Sequence, residues 1–289
     1  MKLGIVTPGL TLLPRAHAHW EATATFADIV GIVQEAERLG YHHCTCSEHV
    51  AVPVDVAAVR GGRYYDPLAT FGALGAQTSS IRFAAHVLVL GYHHPLEIAK
   101  RYGTLDVVTG GRVILGVGVG SLEEEFELLG APFADRGARA DDAMAALRAS
   151  LSELEPEYHG EFYDFEGFLV DPCAVQTRVP MWVGGRTYRS LRRAVELGDG
   201  WAPFGLRTAD LAEMLQRAAG SEAWAARQIP VDVILQNEHP LDPVAEPDRV
   251  AEQLARFTDI GATGVNIRFV HHSAAHYREQ LAALATLER

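Results

Sequence analysis

A chain of 289 residues, 48% hydrophobic and 21% charged, suits one large soluble domain or two small ones. Its formal net charge of −12, from 37 acidic against 25 basic residues, argues against general nucleic-acid or anionic-membrane binding, which needs a basic face. No apolar run is long enough to cross a bilayer, and the opening segment turns into Thr7-Pro8-Gly9 after a few apolar residues, as a first strand does and a signal peptide does not. The three cysteines, Cys44, Cys46 and Cys173, cannot make a disulfide framework, so core thiols in a reducing cytoplasm are expected.

In chain order, Lys2–Val6 reads as a short apolar strand and 23–39 as a helix stopped by Gly40. A second strand over 41–47 ends in Glu48-His49. Asp66 caps a helix running to residue 79, and 81–90 is a third strand. A helix over 95–108 closes at Thr109-Gly110-Gly111. The stretch Arg112–Gly130 holds a fourth strand, then the start of a helix at 122–129, and a long alanine-rich helix follows over 136–154. Between residues 155 and 179 alternating aromatics and turn residues suggest a hairpin excursion. Strands at 180–185, 200–203, 229–236 and 264–269 then alternate with helices at 187–197, 208–219, 247–260 and 273–287.

Eight strand-then-helix units in about the ~250 residues such a fold takes point to a (β/α)8 TIM barrel. The barrel is one domain over residues 1–289, with the insertion at about 155–179. The alternation alone also permits an open doubly wound sheet; the count of eight favours closure. In a barrel the chemistry gathers at the C-terminal ends of the strands.

The fourth strand carries Gly116, Gly118 and Gly120 at alternate positions, hence on one face. A face of glycine leaves room for a flat ligand, or else marks only a bulge or close packing. A dinucleotide fingerprint would need glycine at position 121, which is Ser121. The second strand ends in an acid beside an imidazole, which makes Glu48 and His49 candidates for general acid–base work. The fifth ends in Val183-Gly184-Gly185-Arg186-Thr187 ahead of a helix. Two glycines, a guanidinium and a helix start together suit a phosphate, although Gly-Gly can be only a sharp turn. His86, inside an apolar strand, needs a neighbour or a ligand. The loop Arg60–Tyr65 is either a flap over a substrate or simply mobile, and His17, His19 and Trp20 are similar lid candidates. The pairs His42-His43 and His93-His94 lack a carboxylate or cysteine at ligand spacing, so no metal is expected.

With these pieces placed, the chain resembles the luciferase-like monooxygenase family, in its branch that uses coenzyme F420. The resemblance rests on Ser47-Glu48-His49, Asp66-Pro67-Leu68-Ala69, Ile81-Arg82-Phe83 leading to His86–Leu90, Arg112–Gly120 followed by Glu123-Glu124-Glu125-Phe126, and Pro180–Gly185 closing at Gly198–Trp201. It covers nearly the whole chain, and the order and spacing of the motifs are more specific than any one of them. It implies a deazaflavin ring in the barrel mouth, backed by a bulge in strand three with a cis non-prolyl peptide at or near His86-Val87. Gly118, Val119, Gly120 and Ser121 would flank the ring, Val183–Thr187 would hold the cofactor phosphate, and Glu48 and His49 would handle the substrate proton. One departure stands out: the sugar-phosphate dehydrogenases of the family carry an acid where this chain has Ser121. With Lys2 and Lys100 its only lysines, that substrate is not expected.

The activity so implied is hydride transfer between the deazaflavin and a small organic substrate, with no nucleic-acid or membrane partner and with a homodimer through the outer helices left open. Three other readings remain: the same barrel with FMN as a reduced-flavin monooxygenase, a cofactor-free lyase or isomerase whose Gly184-Gly185 turn holds a phosphate-bearing substrate itself, and a non-catalytic binding protein with a decayed site, to which Ser121 in place of the acid would belong.

Overall fold

The computed structural model describes residues 1–14 and 17–287. Eight parallel strands surround its axis: β1 (Lys2–Val6), β2 (His43–Cys46), β3 (Arg82–Ala85), β4 (Val113–Gly118), β5 (Met181–Gly184), β6 (Gly200–Ala202), β7 (Asp232–Gln236) and β8 (Gly264–Ile267). Each pairs in parallel with the next, and β8 pairs back onto β1, so the barrel closes without an edge. The helices α1 (Phe26–Arg38), α2 (Pro67–Gly75), α3 (Pro95–Thr109), α4 (Arg136–Ser150), α5 (Tyr188–Leu197), α6 (Thr208–Ala219), α7 (Pro247–Asp259) and α8 (Ala274–Leu287) alternate with them. The expected barrel is therefore found, and no helix among the described residues is long and apolar enough to cross a membrane.

Local chemistry fixes the helix starts. Thr25 and Asp28 form a reciprocal capping box at α1, the Asp66 carboxylate accepts from Ala69 N–H at α2, and Thr187 caps α5. The insertion is a small antiparallel ribbon, Tyr158–His159 against Asp164–Phe165. It is anchored on α4 by Asp142, whose carboxylate accepts from the Phe162 and Tyr163 amides and from the Tyr158 hydroxyl. Asp106 of α3 holds the segment behind it through the Val175 and Gln176 amides. Glu157, His159 and Glu166 bring their polar atoms within 4.8 Å of one another on this ribbon, all three exposed.

Two features depart from the expected elements. The stretch read as one strand over 81–90 is two pieces, β3 and Leu88–Val89, separated by a cis peptide between His86 and Val87. The second piece pairs with the far half of β4, Leu88 opposite Val117 and Val89 opposite Gly118. A short helix, Val54–Arg60, occupies part of the loop after β2, and another, Glu222–Ala225, follows α6.

Inside the barrel, Ala84, Ile114, Trp182, Ala202 and Ile234 form one packed layer. The His43 ring lies in the space left by Gly4, where a Cβ would collide with it, and its Nε2 donates to Asn266 Oδ1 at 2.6 Å. Burial drives the His43 pKa down to about 3, so the imidazole is neutral. Cys44 and Cys46 are buried as expected, and burial pushes the Cys44 thiol up to about 12.

Candidate active site at the barrel mouth

Glu48, His49, His86, Val87, the 118–121 turn and the 183–187 turn lie at the C-terminal ends of β2 to β5, so the structure gathers them at one mouth, whereas His19 and Trp20 follow β1 and His42-His43 stand at the start of β2. The inner glycine face of β4, however, is not an open slot. A Cβ on Gly116 would sit on the Ala85 carbonyl oxygen, and one on Gly118 would lie 2.5 Å from Val87 Cγ2. Gly184, across on β5, leaves room for the other methyl of the same valine. The glycines therefore make space for the strand-three bulge, and Val87 is clasped between β4 and β5. What remains open is one layer higher, where Val87 and Val119 are half-buried and Gly120 makes the turn with φ +75°. Gly120 is further constrained by Phe126, whose ring would lie 2.5 Å from an added Cβ.

The pairing of Glu48 with His49 needs correction. Glu48 turns away from its neighbour: Oε2 accepts from Val89 N–H at 2.7 Å and Oε1 from His93 Nε2 at 2.8 Å. It thus ties the bulge to the β2 end. The partner of His49 is Glu125, in the short helix Glu123–Leu128, with Nδ1 donating to Oε2 at 2.6 Å. A carboxylate only accepts, so Nδ1 carries the hydrogen, and Nε2 is left without a hydrogen-bond partner among the described residues. Glu125 is fully buried, and its other acceptor sites take the Tyr92 hydroxyl (2.7 Å) and the Val50 and Ala51 amides (2.6 and 3.1 Å). Burial pushes its pKa up, but the bonds from His49, Tyr92 and Ala51 outweigh that and hold the carboxyl below its ordinary value. The Tyr64 ring meets the His49 imidazole edge-on at 4.5 Å.

His86 is satisfied without a ligand, its Nε2 donating across the barrel to the Ala202 carbonyl at 3.1 Å. Burial lowers its pKa, so it stays neutral. Its ring abuts Phe204, which also lies beneath the Arg186 guanidinium, at 5.7 Å. Gly185 has φ +128°, and a Cβ there would lie 2.8 Å from Ser190 Cβ, so glycine lets the first turn of α5 come up against the strand end. Thr187 accepts from Ser190 N–H, leaving its own hydroxyl hydrogen to donate. Arg186 and Thr187 are exposed, whereas the Val183 side chain belongs to the core between barrel and helices. Only the backbone of Val183 remains for the mouth.

Among known proteins, the luciferase-like monooxygenase profile matches residues 1–238. The chain belongs to the luciferase-like monooxygenase family. It is 31% identical over 225 residues to an uncharacterised protein of Mycobacterium tuberculosis, covering 74% of this chain and 77% of that one. Two solved members of the fold are the coenzyme F420-dependent tetrahydromethanopterin reductase of Methanopyrus kandleri and the FMN complex of the oxygenating constituent of 3,6-diketocamphane monooxygenase from Pseudomonas putida. The first superposes with TM-score 0.75 at 15% identity over 98% of this chain and 97% of that one. The second gives TM-score 0.76 at 18% identity over 99% and 97%.

Three residues of this luciferase-like site escape a reading of the sequence. Glu125 stands in an acidic run whose members look alike until one of them is buried. Tyr92 and Phe204 are aromatics that reach the mouth from irregular segments. A solitary buried glutamate in a helix of otherwise exposed acids has no periodic signature.

Proposed function

We propose that this luciferase-like protein is an oxidoreductase that moves a hydride between the deazaflavin of coenzyme F420 and a small organic substrate. The observation that carries the reading is His49, at the end of β2, fixed through Nδ1 by buried Glu125 and left with Nε2 unpartnered among the described residues. Hydride transfer at an oxygen-bearing carbon leaves a proton to be moved, and an oriented imidazole is the group for it.

The residues present fit such a cofactor. Val87 and Val119 offer an apolar floor for a flat ring, with Gly118 and Gly184 behind Val87 and Gly120 and Ser121 along the edge. Arg186, the Thr187 hydroxyl and the first amides of α5 would hold a phosphate, and Gly185 lets them approach it. The bound cofactor supplies the hydride chemistry, and the barrel supplies alignment and electrostatics. His49 gives or takes the substrate proton at Nε2. Glu125 positions the ring and stabilises its charged form, and Glu48 keeps the bulge in place. The buried, unpaired Cys44 and Cys46 suit a reducing, cytoplasmic setting.

The second reading keeps this barrel and binds FMN as a monooxygenase, which the FMN complex within the fold supports. Under either reading, His49→Ala lowers kcat by about 10²–10⁴-fold while the cofactor Kd stays close to wild type. Parallel loss of both would remove the proton role.

A further inference from the structure

We infer that Arg60 sets substrate charge at this mouth, and that the substrate carries a carboxylate held by its guanidinium. This rests on the reading above that the mouth binds a substrate beside His49. Arg60 ends the short helix Val54–Arg60 and reaches across to the β4 loop, where Nη1 donates to Ser121 Oγ at 3.2 Å. Its own carbonyl accepts from the Tyr64 hydroxyl at 2.8 Å, and the Tyr64 ring lies against His49. Arg60 is thus tied through Tyr64 to the neighbourhood of His49 and through its guanidinium to the β4 loop.

The charge there is unspent. Among the described residues no carboxylate forms an ion pair with Arg60, and the Ser121 bond is the side chain's only hydrogen bond. The nearby buried acid, Glu125, has its acceptor sites filled by His49, Tyr92 and two amides, so it does not neutralise Arg60. A half-buried guanidinium with free N–H groups in a chain of net charge −12 is a site for an anion. The planar fork matches a carboxylate in two-point contact. The helix carrying Arg60 buries none of its residues, with Val54 92% and Val59 79% exposed, so little packing opposes an adjustment of Arg60 toward a ligand.

The test is a calorimetric titration of the wild type, Arg60→Gln and Arg60→Lys with small monocarboxylates of two to eight carbons and their matched carboxamides. The wild type is expected to prefer at least one carboxylate over its amide by about 10-fold or more, a preference weakened by salt. Arg60→Gln should abolish the preference, Arg60→Lys should keep part of it, and thermal melting should show both variants folded. Equal binding of acid and amide, absence of binding by any acid, or a preference that survives in Arg60→Gln overturns the assignment. Titration of the same variants with coenzyme F420 and FMN separates this from the cofactor reading. Cofactor binding with no carboxylate preference sinks the Arg60 role alone, whereas loss of cofactor binding in the wild type sinks the proposed function.

Discussion

Glu125 Oε2 lies 2.6 Å from His49 Nδ1, across 76 residues of sequence, while the glutamate adjacent to His49 points elsewhere. The catalytic candidate is therefore held by the helix after β4, and the β2 and β4 ends are locked together at the site. Glu125→Gln removes a charge-assisted bond, worth about 1.5–3 kcal/mol, so turnover should fall by roughly 10–100-fold while cofactor affinity is retained. A steady-state comparison of kcat with cofactor Kd checks this. The variant should also melt differently in acid. A carboxyl held below its ordinary value of 4.5 adds stability above that pH and loses it as pH falls through the lowered value. Glu125→Gln should remove that part of the acid dependence.

The clasp around Val87 makes a coupled prediction. Gly118→Ala puts a methyl 2.5 Å from Val87 Cγ2 and should cost about 1–3 kcal/mol in denaturant unfolding. Adding Val87→Ala removes the collision, so the double variant should lose less than the sum of the two single losses. Strict additivity would mean that the valine does not occupy this space.

The barrel interior predicts sensitivity to acid. His43 is fully buried, and burial holds its pKa at about 3 against an ordinary 6.5. The unfolded chain binds that proton first, so stability declines as pH drops from 6.5 toward 3. His43→Asn should be less stable at neutral pH yet show a shallower decline over that window. Denaturant midpoints at a series of pH values give the slopes directly, and unchanged slopes would contradict a neutral buried imidazole.

The alternation of strands and helices, the eight-fold count and the turn from strand five into a Thr187-capped helix were all legible in the sequence, because periodicity and turn chemistry are local. The α6 bounds, Thr208–Ala219, agree with the hydrophobic pattern, and Asp66 and Thr187 cap as their types suggest. What the sequence conceals is which groups meet. Neighbouring Glu48 and His49 suggest a pair, but the chain's path sends their side chains to different partners. The alternating glycines mark the inner face correctly, yet only the fold shows the bulge of the preceding strand filling it. Ile81–Leu90 looks like unbroken strand because its apolar residues conceal the break at His86-Val87. Long-range pairing decides each of these, and no local pattern records it.

The most direct measurement is equilibrium titration of the purified protein with coenzyme F420 and with FMN, repeated on Arg186→Ala. Saturable binding of F420 is expected at a Kd of about 1 μM or below, corresponding to ~8 kcal/mol, tighter than FMN and weakened about 10-fold in Arg186→Ala as a charged phosphate contact is lost. Tighter binding of FMN would favour the monooxygenase reading, and saturable binding of neither ring would contradict the account.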